Sequence, residues 1–150
     1  MGLNETCDAG IVHTLDPAYY TSDAIYQQEC AGLFMRAWQY AGHASQAPNP
    51  GDYFTFEIAG QRLFCIRNYD NVLLTFYSVC PHCAHELIKG QGHCDKAIVC
   101  PYHAWTYRFD GCLLRGPNSD VIPVQARDTI CLTSVHTQEF CGFIFVNLDD

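Results

Sequence analysis

The chain has 150 residues, of which 49% are hydrophobic, and a formal net charge of −8 at pH 7. This length is enough for one domain with its own hydrophobic core. The acidic balance argues against nucleic acid and anionic membranes as partners, because both attract basic surfaces. No signal peptide and no membrane-spanning run is visible in the sequence. We therefore expect a cytoplasmic protein in a reducing compartment, in which its ten cysteines are not a disulfide framework.

Residues 1–37 are predicted to form an extended arm followed by one helix. A Thr-Ser-Asp sequence ending at Asp23 offers an N-cap, and apolar residues recur at three- and four-residue steps from Tyr26 to Ala37. This spacing predicts a helix from about Asp23 to Met35 that docks on the domain through its apolar stripe.

From residue 38 onward the pattern is that of short strands joined by turns. Phe54, Phe56 and Ile58 alternate with more polar residues, and Asp110-Gly111 is a strong hairpin signal. Strands are predicted at 38–42, 53–58, 63–66, 72–79, 97–99, 105–109, 112–114, 130–135 and 143–147, with a loop at 116–123. Such closely spaced hairpins predict an all-β fold, a small antiparallel sandwich or partly closed barrel.

Two short groups of metal-ligating residues interrupt this strand pattern. They are Cys80-Pro-His82 and Cys100-Pro-Tyr-His103, and each prolyl ring stiffens its loop. If the two loops lie side by side, both cysteines can bind one iron and both histidines a second iron. This is the ligand arrangement of a Rieske [2Fe–2S] cluster. Cys80, His82, Cys100 and His103 are therefore the predicted cofactor ligands.

Cys83 allows two other interpretations of the same segment. Together with Cys80, Cys100 and His103 it would form a Cys₃His zinc site. Alternatively, Cys83-Ala-His85 could replace Cys80-Pro-His82 as the first ligand pair. The zinc site leaves His82 without a role, and the second pair shortens the loop between the two ligand groups.

The sequence resembles the N-terminal domain of the large subunit of Rieske non-haem iron oxygenases. The likeness lies in Cys80-x-His82, seventeen intervening residues, then CPYHAWTY and the Asp110-Gly111 turn. It extends from Tyr20 to Asp150, through a Trp-x-Tyr-x-Gly-His sequence ending at His43 and a closing Gly-Phe-Ile-Phe-Val-Asn segment. One departure is Cys83-Ala84, which stands where the family usually carries Arg-Gly.

Rieske proteins of respiratory and photosynthetic complexes resemble the chain less. Their additional disulfide-forming cysteines are replaced here by His85 and Tyr102, and Trp105 replaces a serine that bonds a cluster sulfide in that group. Fewer hydrogen bonds to sulfur stabilise the reduced cluster less and lower its reduction potential. The oxygenase type is therefore favoured.

The resemblance implies a Rieske domain at residues 38–150, with a cluster-binding subdomain at about 79–108 behind the N-terminal helix. It implies a relay that takes electrons from a reductase or ferredoxin and passes them to a mononuclear iron, where O₂ is activated and a substrate hydroxylated. That iron needs a 2-His-1-carboxylate triad in a downstream catalytic domain, which is expected to be absent here. Whether this chain alone is an enzyme therefore stays open.

The resemblance also implies a homotrimer for a full-length protein. A freestanding Rieske ferredoxin and a structural zinc module are the alternative functions. The cysteines that are not ligands fall into two groups. We predict core positions for Cys65, Cys131 and Cys141. We predict positions in polar loops for Cys7, Cys94 and Cys112.

Overall fold

The computed structural model describes residues 14–117 and 122–149. Most of the predicted N-terminal arm, including Cys7, lies outside the described residues, as does the middle of the predicted loop at 116–123. Two antiparallel sheets make up the described domain, which confirms the predicted all-β fold. Within the described ranges, no helix is both long enough and apolar enough to cross a membrane.

The N-terminal segment contains the predicted helix, and also a short helix in the part predicted to be an extended arm. Helix α1 (Ala18–Thr21) is followed by α2 (Asp23–Glu29), which continues into a wider π-helical turn at Cys30–Phe34. The apolar stripe docks less than expected, because Tyr26 and Leu33 are about half exposed (48% and 51%). This segment therefore presents apolar side chains to solvent in the chain described here.

Ten strands follow. In chain order they are β1 (Gln39–His43), β2 (Asp52–Ile58), β3 (Gln61–Arg67), β4 (Leu73–Tyr77), β5 (Gln91–His93), β6 (Ile98–Val99), β7 (Thr106–Tyr107), β8 (Leu113–Arg115), β9 (Ser134–Phe140) and β10 (Phe143–Asn147). The large sheet has the order β1-β10-β9-β4-β3-β2-β5, and β6, β7 and β8 form the small sheet. A short helix, α3 (Val124–Arg127), precedes β9 and was not predicted.

Burial explains the position of the central strands. The predicted alternation in β2 is confirmed, because Phe54 is buried and Phe56 and Ile58 are half-buried, whereas Glu57 is exposed. In β3 the consecutive residues from Leu63 to Arg67 are all buried, as is typical of a strand covered on both faces. Cys65 is fully buried there, as predicted, and burial raises the pKa of its thiol to about 12.

The small sheet is inserted between two neighbouring strands of the large sheet. The chain leaves the large sheet after β4 and returns to it in β9, where Phe76 and Ser134 are paired directly. The insert contributes one strand to the large sheet, because β5 pairs with β2. Gly92 in β5 lies against the Tyr53 ring, where an added Cβ would come within 2.9 Å of the hydroxyl, so a larger residue would require this ring to shift. In sequence, Gly90-Gln-Gly92 indicates only a turn, so this strand is not predicted.

Three predictions about the C-terminal third are wrong. The strand expected at 130–135 lies later, at Ser134–Phe140, because Cys131 instead forms an isolated bridge with Cys112. These two cysteines are joined by a disulfide (S–S 2.08 Å), so Cys131 is not a free core thiol. Cys141 is exposed, in a turn between β9 and β10 where its φ is 51°.

Candidate metal centre

Two backbone hydrogen bonds close the first ligand loop, and Cys80 takes part in both of them. The Cys80 N–H donates to the His85 carbonyl (2.8 Å), and the Cys80 carbonyl accepts from the Ala84 N–H (2.8 Å). Ala84 has a φ of 54°, a left-handed conformation that is costly for a residue with a Cβ. The chain therefore reverses tightly behind Cys80 and brings His82 to the tip of the loop.

The second ligand loop repeats this pattern, counted from Cys100. The Cys100 N–H donates to the Trp105 carbonyl (2.8 Å), the Cys100 carbonyl accepts from the Ala104 N–H (3.0 Å), and Ala104 has a φ of 55°. Two loops of different sequence thus share one backbone fold. The predicted ligands occupy different places in it, because His82 is two residues after its cysteine and His103 is three residues after its own.

The two predicted cysteine ligands are buried side by side. Cys80 and Cys100 are 1% and 2% exposed, and both belong to the main hydrophobic core. Burial raises the pKa of the Cys100 thiol, and the neighbouring Cys80 raises it further. The backbone N–H groups of Tyr102 and His103 act in the opposite direction, because they donate to the sulfur and favour the thiolate. Two adjacent buried sulfurs with N–H donors directed at one of them fit a metal centre that binds thiolates.

The two predicted histidine ligands lie outside these cysteines, at the surface. The His82 and His103 rings are 5.0 Å apart, centroid to centroid, and nearly perpendicular. Trp105 stacks on His82 (4.6 Å, 7° between planes), and Tyr102 packs on His103 (3.8 Å). Aromatic neighbours therefore restrain both imidazoles. The structure places the cysteines inside and the histidines outside, the order required for a cluster whose outer iron is ligated by nitrogen.

Tyr107 is a site residue that sequence reasoning did not identify. In sequence, Trp105 and Tyr107 are most simply interpreted as packing that shields the cluster from water. The Tyr107 hydroxyl lies 3.1 Å from Cys80 Sγ, and the Tyr107 side chain is fully buried. Burial, and then the contact with Cys80, raises the pKa of Tyr107, so the hydroxyl stays protonated and donates a hydrogen bond to the sulfur. The available signal was the alternation of the strand predicted at 105–109, which places residues 105 and 107 on one face.

Cys83 is exposed and lies with the histidines. Its Sγ is 3.5 Å from Nδ1 of His82. Among the residues that the structure describes, Cys83, His82 and His103 are the group whose ligand atoms all lie within 4.8 Å of one another, and that group includes neither Cys80 nor Cys100. This arrangement does not support the Cys₃His zinc site, which needs Cys83 beside the two buried cysteines.

His85 is placed near the site without contacting the cysteines through its side chain. Its Nδ1–H donates to the Glu86 carbonyl (2.7 Å), and its ring stacks on Tyr102 at 5.2 Å. The alternative ligand pair of Cys83 and His85 would need this imidazole to turn away from both contacts.

The fold and the paired loops define an iron–sulfur domain, and comparison with known proteins identifies its family. The family model described as "Rieske [2Fe-2S] domain" matches residues 37–126. The carnitine monooxygenase oxygenase subunit of Acinetobacter baumannii is 35% identical over 140 residues, and that of Escherichia coli (strain K12) is 36% identical over 136 residues. These alignments cover 93% and 91% of this chain but only 38% and 36% of the relatives.

Solved structures agree with this assignment. A quaternary ammonium Rieske monooxygenase in its apo form is similar over 91% of this chain and 40% of that chain, with a TM-score of 0.83 and 36% identity. Naphthalene 1,2-dioxygenase with bound indole is similar over 83% of this chain and 28% of that chain (TM-score 0.76, 29% identity). The chain belongs to the Rieske [2Fe–2S] domain family, and its cofactor is a Rieske-type [2Fe–2S] cluster. The predicted resemblance to oxygenase large subunits is confirmed.

Proposed function

We propose that this chain is the electron-relay domain of a Rieske oxygenase, in which Cys80 and Cys100 ligate the inner iron and His82 and His103 the outer iron. One observation carries the assignment: two loops with the same backbone fold bury a pair of cysteines and hold a pair of histidines at the surface directly outside them. The cluster supplies reversible one-electron chemistry when it is bound.

The surrounding residues suit such a relay. The backbone N–H groups of Tyr102 and His103 favour the thiolate of Cys100, and the Tyr107 hydroxyl donates to Cys80. Hydrogen bonds to ligand sulfurs stabilise the added negative charge of the reduced state. The imidazoles, restrained by aromatic rings, form the exposed edge through which we expect electrons to enter and leave.

The proposed partners are based on the relatives. The chain spans less than two fifths of the length of the carnitine monooxygenase subunits that it matches. We propose that it acts in the cytoplasm, with a reductase or ferredoxin as donor and a mononuclear iron in a downstream catalytic domain as acceptor. One similar structure is described in terms of carnitine oxidation and inter-subunit electron transfer. A homotrimer would allow such transfer, and a quaternary ammonium compound is the substrate class to test first.

The proposed domain organisation is an N-terminal arm and helix at residues 1–37 and a Rieske domain at 38–150. The cluster-binding subdomain takes in about residues 79–108, and β8 completes its sheet. The family model begins at residue 37, which supports the first boundary. A freestanding ferredoxin carrier is the weaker alternative, because the matched relatives are oxygenase subunits.

Anaerobic reconstitution of the purified chain with iron and sulfide tests the ligand set. We expect two irons per chain, a red-brown colour and the electron paramagnetic resonance (EPR) spectrum of a histidine-ligated cluster. Cys80→Ser and Cys100→Ser should lose the cluster, whereas His136→Ala, at an exposed histidine of β9, should keep it. A colourless wild-type protein that binds one zinc ion per chain would refute the proposal.

A further inference from the structure

The shared backbone fold of the two loops places Cys83 in a position that carries a metal ligand in the other loop. Cys83 is three residues after Cys80 and one before Ala84, just as His103 is three residues after Cys100 and one before Ala104. The first loop therefore presents two possible ligands: His82, which is in the proposed set, and Cys83, which is not.

The distance between these two side chains is that of two ligands on one metal atom. Bonds of about 2.3 Å to sulfur and about 2.1 Å to nitrogen, at a tetrahedral angle, separate the two ligand atoms by about 3.6 Å. The observed separation of Cys83 Sγ and His82 Nδ1 is 3.5 Å. The His103 ring nitrogen completes the group within 4.8 Å. The Cys83 sulfur therefore already lies within reach of a metal atom bound by the two imidazoles.

We propose that Cys83 is a reserve ligand of the outer iron, which takes the place of His82 when that imidazole leaves the metal. The inference rests on the ligand set proposed above. The exchange would move no electrons, because Cys83 would bind as a thiolate and its proton would pass to the released His82 imidazole. The cluster would then be held by three thiolates and one imidazole.

Such an exchange would retain the cluster and change its redox behaviour. An anionic sulfur in place of a neutral nitrogen disfavours the reduced state, so the potential falls toward that of all-cysteine clusters. The exposed position of Cys83 allows the exchange without opening the core, because the two buried cysteines keep their places. A cluster with the exchanged ligand would be preserved while delivering electrons less readily.

The test compares iron content and EPR spectra of the reconstituted chain carrying His82→Ala, Cys83→Ser or both substitutions. Cys83→Ser alone should keep the wild-type iron content and spectrum. His82→Ala should keep its iron content within about twofold of wild type and show a changed spectrum. The double variant should hold at least about tenfold less iron than His82→Ala. Loss of a residue that only hydrogen-bonds to a ligand already lowers metal affinity by about 10- to 100-fold, so loss of both ligands should cost at least as much. Cys141→Ser, at another exposed thiol, is the matched control. When it is combined with His82→Ala, the iron content and EPR spectrum should equal those of His82→Ala alone.

Two results would overturn the proposal. One is equal iron in His82→Ala and in the double variant, and the other is loss of the wild-type spectrum in Cys83→Ser, which would make Cys83 a resident ligand. Circular dichroism checks folding, and His82→Asn, which is closer to histidine in size, replaces His82→Ala if the alanine variant unfolds. A wild-type chain without a histidine-ligated cluster would refute the proposed ligand set. The two results above would refute only the role of Cys83, so the two kinds of failure are distinguishable.

Discussion

Replacing Tyr107 with phenylalanine should lower the reduction potential of the cluster. The substitution keeps the buried ring and removes only the hydroxyl, which lies 3.1 Å from Cys80 Sγ. The sulfur carries more negative charge when the cluster is reduced, so the donated hydrogen bond stabilises the reduced state more than the oxidised state. A hydrogen bond to a charged group contributes roughly 1.5–3 kcal/mol. If the reduced state gains about 1–2 kcal/mol more from this bond than the oxidised state does, its loss lowers the one-electron potential by about 40–90 mV.

The measurement is an anaerobic redox titration of wild type and Tyr107→Phe, followed by visible absorption and EPR. Tyr69→Phe is the control, because Tyr69 is 64% exposed and its hydroxyl makes only long contacts, with the carbonyls of Asp95 (3.4 Å) and Lys96 (3.5 Å). Iron content should be unchanged in both variants. A potential for Tyr107→Phe that equals the wild-type value, or exceeds it, would show that this hydroxyl does not stabilise the reduced cluster.

Three further predictions concern charge, covalent structure and pH. Cys83→Arg, which restores the residue usual in the family, should raise the reduction potential in the same titration, because a nearby cation favours the extra electron; an unchanged value would place the new charge too far from the cluster. Cys112 and Cys131, which form a disulfide, are 19 residues apart in sequence. Reduction of this disulfide should lower the free energy of unfolding, measured in urea, by about 3 kcal/mol. The Cys112→Ser/Cys131→Ser variant should show the same loss and no further response to reductant, and an equal response in that variant would contradict the assignment. The hydrogen bond from His93 lowers the pKa of Asp52, so Asp52 stabilises the fold above its unfolded pKa of about 4 and loses that contribution as the pH falls through its lower folded pKa. Asp52→Asn should therefore reduce the fall in the urea midpoint between pH 5 and pH 3, and an unaltered pH dependence would argue against this pair.

Local patterns were enough to predict most strands and the ligand loops. The alternation from Phe54 to Ile58 identifies β2, because successive residues of a half-buried strand point alternately toward the core and toward solvent. The ligand loops were predictable because the spacing of two cysteines and two histidines is set by the chemistry of the cofactor, and the two loops here do lie together.

Features that depend on contacts between distant segments were not predictable in this way. β5 looks like a glycine turn in sequence and becomes a strand only because β2 offers it a free edge. The partner of Tyr107 is a cysteine 27 residues away, so the hydrogen bond exists only in the folded chain. The disulfide likewise requires Cys112 and Cys131 to face each other across an isolated bridge, which no local periodicity encodes.

The pairing of Phe76 with Ser134 has a consequence for modularity. The segment that carries the redox centre departs from and rejoins the scaffold at directly opposed residues of adjacent strands, about 5 Å apart. An excursion with such closely spaced ends can change in length or ligand chemistry while the strands that hold it keep their register. Loops with other metal preferences could therefore be grafted onto this framework, with the β5 edge contact as the main constraint on their shape.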